Sequence, residues 1–181
     1  MAAVSLVVRP ERPGDEGAIF AVTRDAFAIA EHSSGTEQLI VDALRDTGRL
    51  TVSLTALRGG VLVGHVAISP VTIRPVAVPA NDDTSIEGWY GLGPVSVLPD
   101  HQGQGVGTTL VKQALAAIAA EPGCVVLGDP RYYRRFGFRP DPRLVLPDVS
   151  PEFFQVLRLA SREPPHGTVS FDPAFDVRGE E

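Results

Sequence analysis

The stretch that decides the fold is LGPVSVLPDHQGQGVGTTLVK, residues 92–112. It begins as an apolar, β-prone strand over residues 95–98, which a proline and an aspartate then end. Glycines alternate with other residues over positions 103–107, and a helical apolar pattern starts directly after them. Because glycines disfavour a helix, we expect them where the backbone must approach a ligand closely. Free N–H groups at a helix N-terminus bind anions, so the loop is predicted to cradle a pyrophosphate.

The composition of the whole chain is that of an ordinary globular protein. Its 181 residues are 44% hydrophobic and 21% charged, which is enough to bury the core of one domain. We therefore predict a single domain over residues 1–181, with a motif-bearing core at about 5–140 that residues 141–181 complete. The formal net charge of −6 disfavours a nucleic-acid partner, because few cations are available to neutralise phosphates.

Cysteine content and apolar runs bear on the compartment. The single cysteine, Cys124, permits no internal disulfide and fits a reducing environment. No apolar run approaches the length of a membrane span, and the first eight residues are too short for a signal peptide. The sequence therefore predicts a cytoplasmic protein that does not contact a membrane.

Hydrophobic periodicity and turn signals predict the order of the helices and strands. Expected strands lie at residues 5–9, 50–57, 61–69, within 70–87, at 95–98, at 124–127 and from Phe138 onward. Expected helices lie at about residues 13–30, 36–48, 107–120 and 132–136. In the proline-rich tail we expect a short helix near 151–159 and a last strand near 167–171. This order indicates an α/β (α+β) domain with a mixed sheet.

Three kinds of phosphate-binding loop can be tested against the glycines. A P-loop needs a lysine followed by serine or threonine after its last glycine, but Thr108 and Thr109 follow Gly107. A dinucleotide fingerprint needs a glycine at its sixth position, where counting from Gly103 gives Thr108. A third pattern fits: the loop matches Gln/Arg-x-x-Gly-x-Gly/Ala from Gln102 to Gly107.

That pattern resembles the coenzyme A pyrophosphate loop of the GNAT superfamily of N-acetyltransferases. The strand before it, residues 94–99, resembles the central strand of that superfamily, and Tyr133-Arg-Arg-Phe-Gly-Phe138 is similar to its Tyr-x-x-x-Gly-Phe segment. Residues 127–138 resemble in particular the YhbS-like predicted acetyltransferases. The resemblance covers about residues 5–140. It departs from the family at Val126, where many members carry an asparagine.

The resemblance implies a mostly antiparallel sheet flanked by helices, with a V-shaped splay after the central strand. It implies acetyl-coenzyme A as co-substrate and no metal. Loop amides would hold the pyrophosphate, Gln102 would fix the loop, and the backbone of the central strand would pair with the pantetheine arm. The residues assigned to the coenzyme are Val95, Ser96, Val97, Gln102, Gly103, Gln104, Gly105, Val106 and Gly107. Arg131, Arg134 and Arg135 either meet the 3′-phosphate or form a solvated basic face.

The reaction implied by the resemblance is direct attack of a primary amine on the thioester within a ternary complex. Tyr133 matches the family's tyrosine near the sulfur and is the candidate general acid, whereas Tyr132 is expected to pack. Glu37 and Glu87 are candidate bases or acceptor-binding residues. His65, His101 or a water chain are alternatives.

The acceptor is a small-molecule or peptide amine that the sequence does not identify. Its pocket is expected to come from residues 28–37, from 75–90 and from the tail. The alternative function is a non-catalytic coenzyme A-binding sensor or interaction domain. Transfer of acyl chains longer than acetyl is also possible from the sequence. The resemblance also allows a homodimer.

Overall fold

A computed structural model describes residues 5–30, 33–79, 82–160 and 163–177. Its helices and strands are β1 (Leu6–Pro10), α1 (Glu16–Phe27), α2 (Glu37–Asp46), β2 (Val52–Arg58), β3 (Val61–Pro70), β4 (Thr72–Pro75), β5 (Trp89–Val97), α3 (Val106–Ala117), β6 (Gly123–Leu127), α4 (Pro130–Tyr133), β7 (Leu144–Val145), β8 (Phe154–Arg158) and β9 (Gly167–Ser170). Short 3-10 helices lie at Pro99–His101, Arg134–Phe136 and Pro173–Asp176. No helix in these ranges is long and apolar enough to cross a membrane.

The strands of the described ranges form two sheets. The larger has six strands in the order β1-β2-β3-β5-β6-β8, and the smaller has the order β4-β9-β7. In the larger sheet β1 with β2, β2 with β3, and β6 with β8 pair antiparallel, whereas β5 and β6 pair parallel. A parallel neighbour requires a crossover connection, which contains α3 here. The predicted fold class, a mixed and mostly antiparallel sheet flanked by helices, is confirmed.

The chain divides into two compact units, the first of which contains the glycine-rich loop. This unit consists of residues 1–68, 93–117 and 173–181. In its core Ile19 and Val22 of α1 pack with Val41 of α2 and Leu62 of β3. Residues three positions apart share a helix face, so the apolar spacing of α1 aims it at this core.

The second unit consists of residues 69–92 and 118–172. It contains both β6 and α4, and its core is built from strand residues of the two sheets together with Val71, which lies between β3 and β4. The buried members of this core are Val71, Ile73, Trp89, Val125, Leu144, Phe154, Val156 and Val169. The expectation that residues 1–181 form a single domain stays a prediction.

The prediction of a helix near residues 151–159 is wrong, because β8 occupies most of that segment. Phe154 and Val156 join the core of the second unit, while Gln155 between them points to the other face and is also fully buried. Because both faces are covered, the polar–apolar alternation that marks a half-buried strand is missing.

Several element boundaries differ from the prediction by a few residues. α1 ends at Phe27 instead of residue 30, and the strand expected from Phe138 onward is a single bridge between Arg139 and Val156. The helix expected at 132–136 is α4 followed by a 3-10 turn. The last strand, expected at 167–171, is confirmed as β9.

Candidate active site

The glycine-rich loop lies in the first unit, between a 3-10 turn and the start of α3. Gly103 has a φ of +70° and Gly105 a φ of +80°, a left-handed backbone that glycine adopts without strain. A Cβ atom built at either position would meet nothing within 4 Å. The glycines are therefore required by the backbone and not by crowding, and the space beside them is open to a ligand.

The loop presents backbone N–H groups at the start of α3. The first N–H groups of a helix have no acceptor within it, and the positive end of the helix dipole lies at the same place. The first bond within the helix is made by Thr109 N–H, which donates to Gly105 O at 3.0 Å, so the amides before Thr109 are not used by the helix. The amides at the beginning of α3, together with the two left-handed glycines, can hold an anion.

Glutamine side chains fix the shape of this loop. The Gln102 amide donates to Val97 O at 3.0 Å, which ties the loop to the end of β5. The Gln104 amide donates to Asp100 O at 2.9 Å. Arg58, the last residue of β2, donates to Gln104 Oε1. The contact with Arg58 brings a cation to the loop that the sequence did not indicate.

In β5, the strand that leads into the loop, the side chain and the backbone of Ser96 have different surroundings. Ser96 is buried, and its hydroxyl lies 3.3 Å from Thr23 Oγ1 and 3.5 Å from His65 O. Only the backbone of Ser96 is therefore available to a ligand. The parallel ladder between β5 and β6 covers three residue pairs, from Trp89–Gly123 to Gly91–Val125. The predicted coenzyme-binding residues 95–97 lie beyond that ladder.

Tyr133 is the last residue of α4, in the second unit. Its ring meets Tyr132 edge to face at a centroid distance of 5.0 Å and Phe138 at 6.0 Å. Burial, with smaller effects from Tyr132 and Cys124, raises the pKa of the Tyr133 hydroxyl above its ordinary value. The phenol therefore stays protonated at neutral pH and can serve as a proton donor. Tyr132 instead carries Arg135 on its ring face, with the guanidinium carbon 4.4 Å from the centroid, as packing predicts.

The two candidate carboxylates, Glu37 and Glu87, have different surroundings. Glu37 begins α2 and is buried, and it accepts hydrogen bonds from Ser34 N–H at 2.7 Å and Ser33 Oγ at 3.0 Å. This carboxylate therefore caps the turn before α2. Glu87 lies in the second unit, is exposed, and accepts from Ser85 Oγ at 3.0 Å. Their roles toward an acceptor stay predictions.

The two candidate histidines, His65 and His101, also have different surroundings. His101 ends the 3-10 turn before the loop, and its Nδ1 lies 3.5 Å from an Arg58 nitrogen. His65 is fully buried in β3, with Nε2 2.8 Å from Ser53 Oγ. Ser53 in turn donates to Glu11. Burial lowers the pKa of His65 to about 4, so this ring is a poor base at neutral pH.

Glu11 completes a network that no local sequence pattern indicates. Its Oε1 accepts from Arg45 Nε at 2.7 Å, while its other oxygen accepts from Ser53. Burial alone would raise the pKa of Glu11, but the hydrogen bonds from Arg45 and Ser53 hold it below its ordinary value. Because the Ser53 proton points to Glu11, His65 must donate from Nε2. Its Nδ1 has no partner among the described residues.

We expect this network to make stability depend on pH. The folded protein keeps His65 neutral down to a pKa of about 4, whereas the unfolded chain binds a proton below its ordinary value of about 6.5. The stability from this group is therefore present above pH 6.5 and is lost as pH falls. Between about pH 6.5 and 4.5 the free energy of unfolding should drop by roughly 2–3 kcal/mol.

Urea unfolding at pH 7, 5.5 and 4.5 measures this effect, with His65→Gln as the matched variant. The glutamine side chain retains an N–H for Ser53 but does not titrate. The variant should therefore lose clearly less stability than the parent over this range. Equal losses in both proteins would contradict an effect of His65.

The fold and the loop together define a class: an α/β protein with a glycine-rich loop whose backbone amides, at the end of a central strand, can hold an anion. The chain belongs to the acetyltransferase (GNAT) family, whose model matches residues 18–138. The resemblance inferred from the loop, strand and Tyr-Gly-Phe segment is thereby confirmed.

Relatives and solved structures support this membership. The uncharacterized N-acetyltransferase YhbS of Escherichia coli K12 is 34% identical over 136 residues, which is 74% of this chain and 73% of YhbS. A GNAT acetyltransferase from Brucella melitensis in complex with acetyl-CoA has a TM-score of 0.79 and 42% identity, covering 95% of this chain and 99% of its own. Escherichia coli YhbS in complex with CoA has a TM-score of 0.83 and 31% identity, covering 99% and 96%.

Proposed function

We propose that this protein transfers an acetyl group from acetyl-coenzyme A to a primary amine by direct attack in a ternary complex. The observation that carries the proposal is the glycine-rich loop, with Gly103 and Gly105 in the left-handed region and α3 starting at Val106. The similar Brucella melitensis protein, at 42% identity, is solved with acetyl-CoA. Amides of residues 103–107 would bind the pyrophosphate of the same ligand here.

The strand before the loop would bind the rest of the coenzyme. The backbone of residues 95–97 would pair with the amides of the pantetheine arm, as an added strand does. Because the Gln102 side chain ties the loop to Val97 O, the proposed pyrophosphate and pantetheine sites would be held together. A strand N–H there would also stabilise the oxyanion that forms during attack on the thioester.

The proposed reaction needs one proton donor and one proton acceptor. The neutral amine attacks the thioester carbonyl carbon, a C–N bond forms, and the C–S bond breaks. Tyr133 gives its phenolic proton to the departing thiolate, which leaves as free coenzyme A. The new amide nitrogen loses a proton to a base, for which Glu37, Glu87, His101 and a water chain are the candidates. The tyrosinate then recovers a proton from solvent.

Calorimetry and a thiol assay test the proposal together. We expect acetyl-coenzyme A to bind without added metal, and at least one member of an amine panel to release free thiol. The panel should contain aminoglycosides, polyamines, amino acids and peptides with a free N-terminus or lysine. Cys124 is the single cysteine and is fully buried, so a thiol reagent should report coenzyme A and not the protein.

The two assays separate the proposal from its alternative. Absence of binding at millimolar acetyl-coenzyme A would overturn the proposal. Binding without turnover on any amine would favour the coenzyme A-binding sensor. Comparison of acetyl with longer acyl donors would define the acyl chain.

The compartment and assembly of the protein are further parts of the proposal. The lone cysteine fits a reducing compartment, so we place the protein in the cytoplasm. A homodimer stays a prediction, which sedimentation at micromolar concentration would test.

A further inference from the structure

Gly128, directly after β6, lies against the ring of Tyr133. A Cβ atom at Gly128 would stand 2.4 Å from Cε2, 3.1 Å from Cδ2 and 3.5 Å from Cζ of that ring. The φ of Gly128 lies outside the left-handed region, so its backbone does not need glycine. The absent side chain instead leaves room for the Tyr133 ring, and any larger residue would displace it.

Two hydrogen bonds hold the backbone of Gly128 in place. Its N–H donates to Phe153 O at 2.9 Å, and its carbonyl accepts from the Gln155 side-chain amide at 3.2 Å. Phe153 precedes β8 and Gln155 belongs to it. The glycine is therefore fixed on both sides by the neighbouring segment of the sheet.

Gln155 is an unfavourable choice for packing alone. The residue is fully buried, and its Oε1 has no partner within the described residues. A buried polar atom without a partner is destabilising, and an apolar side chain of similar volume would avoid that cost. The benefit of glutamine at this position is the bond from its amide to Gly128.

The turn that Gln155 holds also sets the backbone of Tyr133. Asp129 follows Gly128 and caps α4, with its carboxylate accepting from Arg131 N–H at 2.8 Å. The Tyr133 N–H donates to Asp129 O at 3.1 Å. The ring of Tyr133 and its main chain therefore both depend on the same two residues, Gly128 and Asp129.

We propose that Gly128 and Gln155 are positioning residues that fix the Tyr133 hydroxyl for proton transfer. The inference rests on the proposed function, in which Tyr133 protonates the leaving thiolate. Proton transfer requires a heavy-atom distance of about 2.6–3.2 Å, so a small displacement of the ring disables it. Gly128 leaves the space for the ring, and Gln155 holds Gly128 there.

Kinetics of Gly128→Ala and Gln155→Leu test the proposal. We expect kcat to fall about 10- to 100-fold in Gly128→Ala and less in Gln155→Leu, with KM for acetyl-coenzyme A within twofold of the parent. In a Tyr133→Phe background, neither substitution should lower kcat further, because no hydroxyl remains to be positioned. Further losses in that background would overturn the proposal, since they would show a general structural effect.

A spectroscopic measurement keeps the inference separate from the proposed function. The chain has three tyrosines, so 3-fluorotyrosine should give three 19F signals, and Tyr133→Phe identifies one of them. Gly128→Ala and Gln155→Leu should shift that signal, whereas Gly17→Ala, at an exposed helical glycine with open space, should not. An unshifted signal would overturn the inference. Absence of turnover in the parent protein would instead overturn the proposed function.

Discussion

Gly105→Asp should weaken binding of acetyl-coenzyme A by at least about 100-fold and leave the protein folded. Gly105 has a φ of +80°, and its missing Cβ faces open space. Aspartate tolerates the left-handed region better than most residues, so the cost to folding is small. Its carboxylate would place a negative charge where the loop is proposed to hold the pyrophosphate. Calorimetry at low and high salt measures the change.

Two further variants isolate the effect of charge and position. Gly105→Asn has nearly the same shape without the charge and should cost about tenfold, and the difference between Asp and Asn should shrink as salt rises. Gly48→Asp supplies a matched control, since Gly48 has a φ of +68°, also faces open space and follows α2. The affinity of Gly48→Asp for acetyl-coenzyme A should stay within twofold of that of the parent. An unchanged affinity in Gly105→Asp would show that the loop does not bind the coenzyme.

The loop could be predicted from sequence because its special geometry requires a special residue. Only glycine adopts the left-handed backbone at positions 103 and 105 without strain, so the requirement is visible in the letters themselves. The preceding strand and following helix are equally local, since each is a run of apolar residues with its own period. Local requirements of this kind also predict the hairpin around Arg58-Gly59-Gly60, which the structure forms from β2 and β3.

Contacts between distant positions could not be predicted in the same way. Arg58 and Gln104 are 46 positions apart, and Glu11 and Ser53 are 42 apart. In the sequence, Arg58 and Glu11 cannot be distinguished from ordinary surface charges, because their partners come close only in the folded protein. The Glu11–Ser53–His65 network therefore has no signal in a single sequence.

Gln155 shows how burial on both faces hides a strand. Its neighbours are apolar on either side, and the segment around it carries no alternation that distinguishes a strand from a short helix. The prediction of a helix there failed for this reason, and with it any expectation of the bond to Gly128. Pairing of β8 with β6 decides the outcome, and that pairing is a property of the whole sheet and not of residues 151–159.

Tyr133→Phe should lower kcat by about 100-fold while the affinity for acetyl-coenzyme A stays within twofold. General acid–base groups contribute about 10²- to 10⁴-fold to rates, and the substitution removes only the hydroxyl. The ring contacts with Tyr132 and Phe138 can persist in phenylalanine. Steady-state thiol release with an amine identified by the panel, alongside calorimetry, gives the two quantities separately.

The pH dependence and a neighbouring tyrosine make the assignment of Tyr133 specific. Because burial raises the pKa of the Tyr133 phenol, the acid stays protonated as the amine acceptor loses its proton, so the parent rate should rise from pH 7 to 9 without an alkaline fall. Tyr132→Phe, one position away and packed against Arg135, should keep kcat within about threefold. If Tyr133→Phe also stayed within threefold, the thiolate would leave without a proton from this residue, and water or the coenzyme's own surroundings would have to supply it.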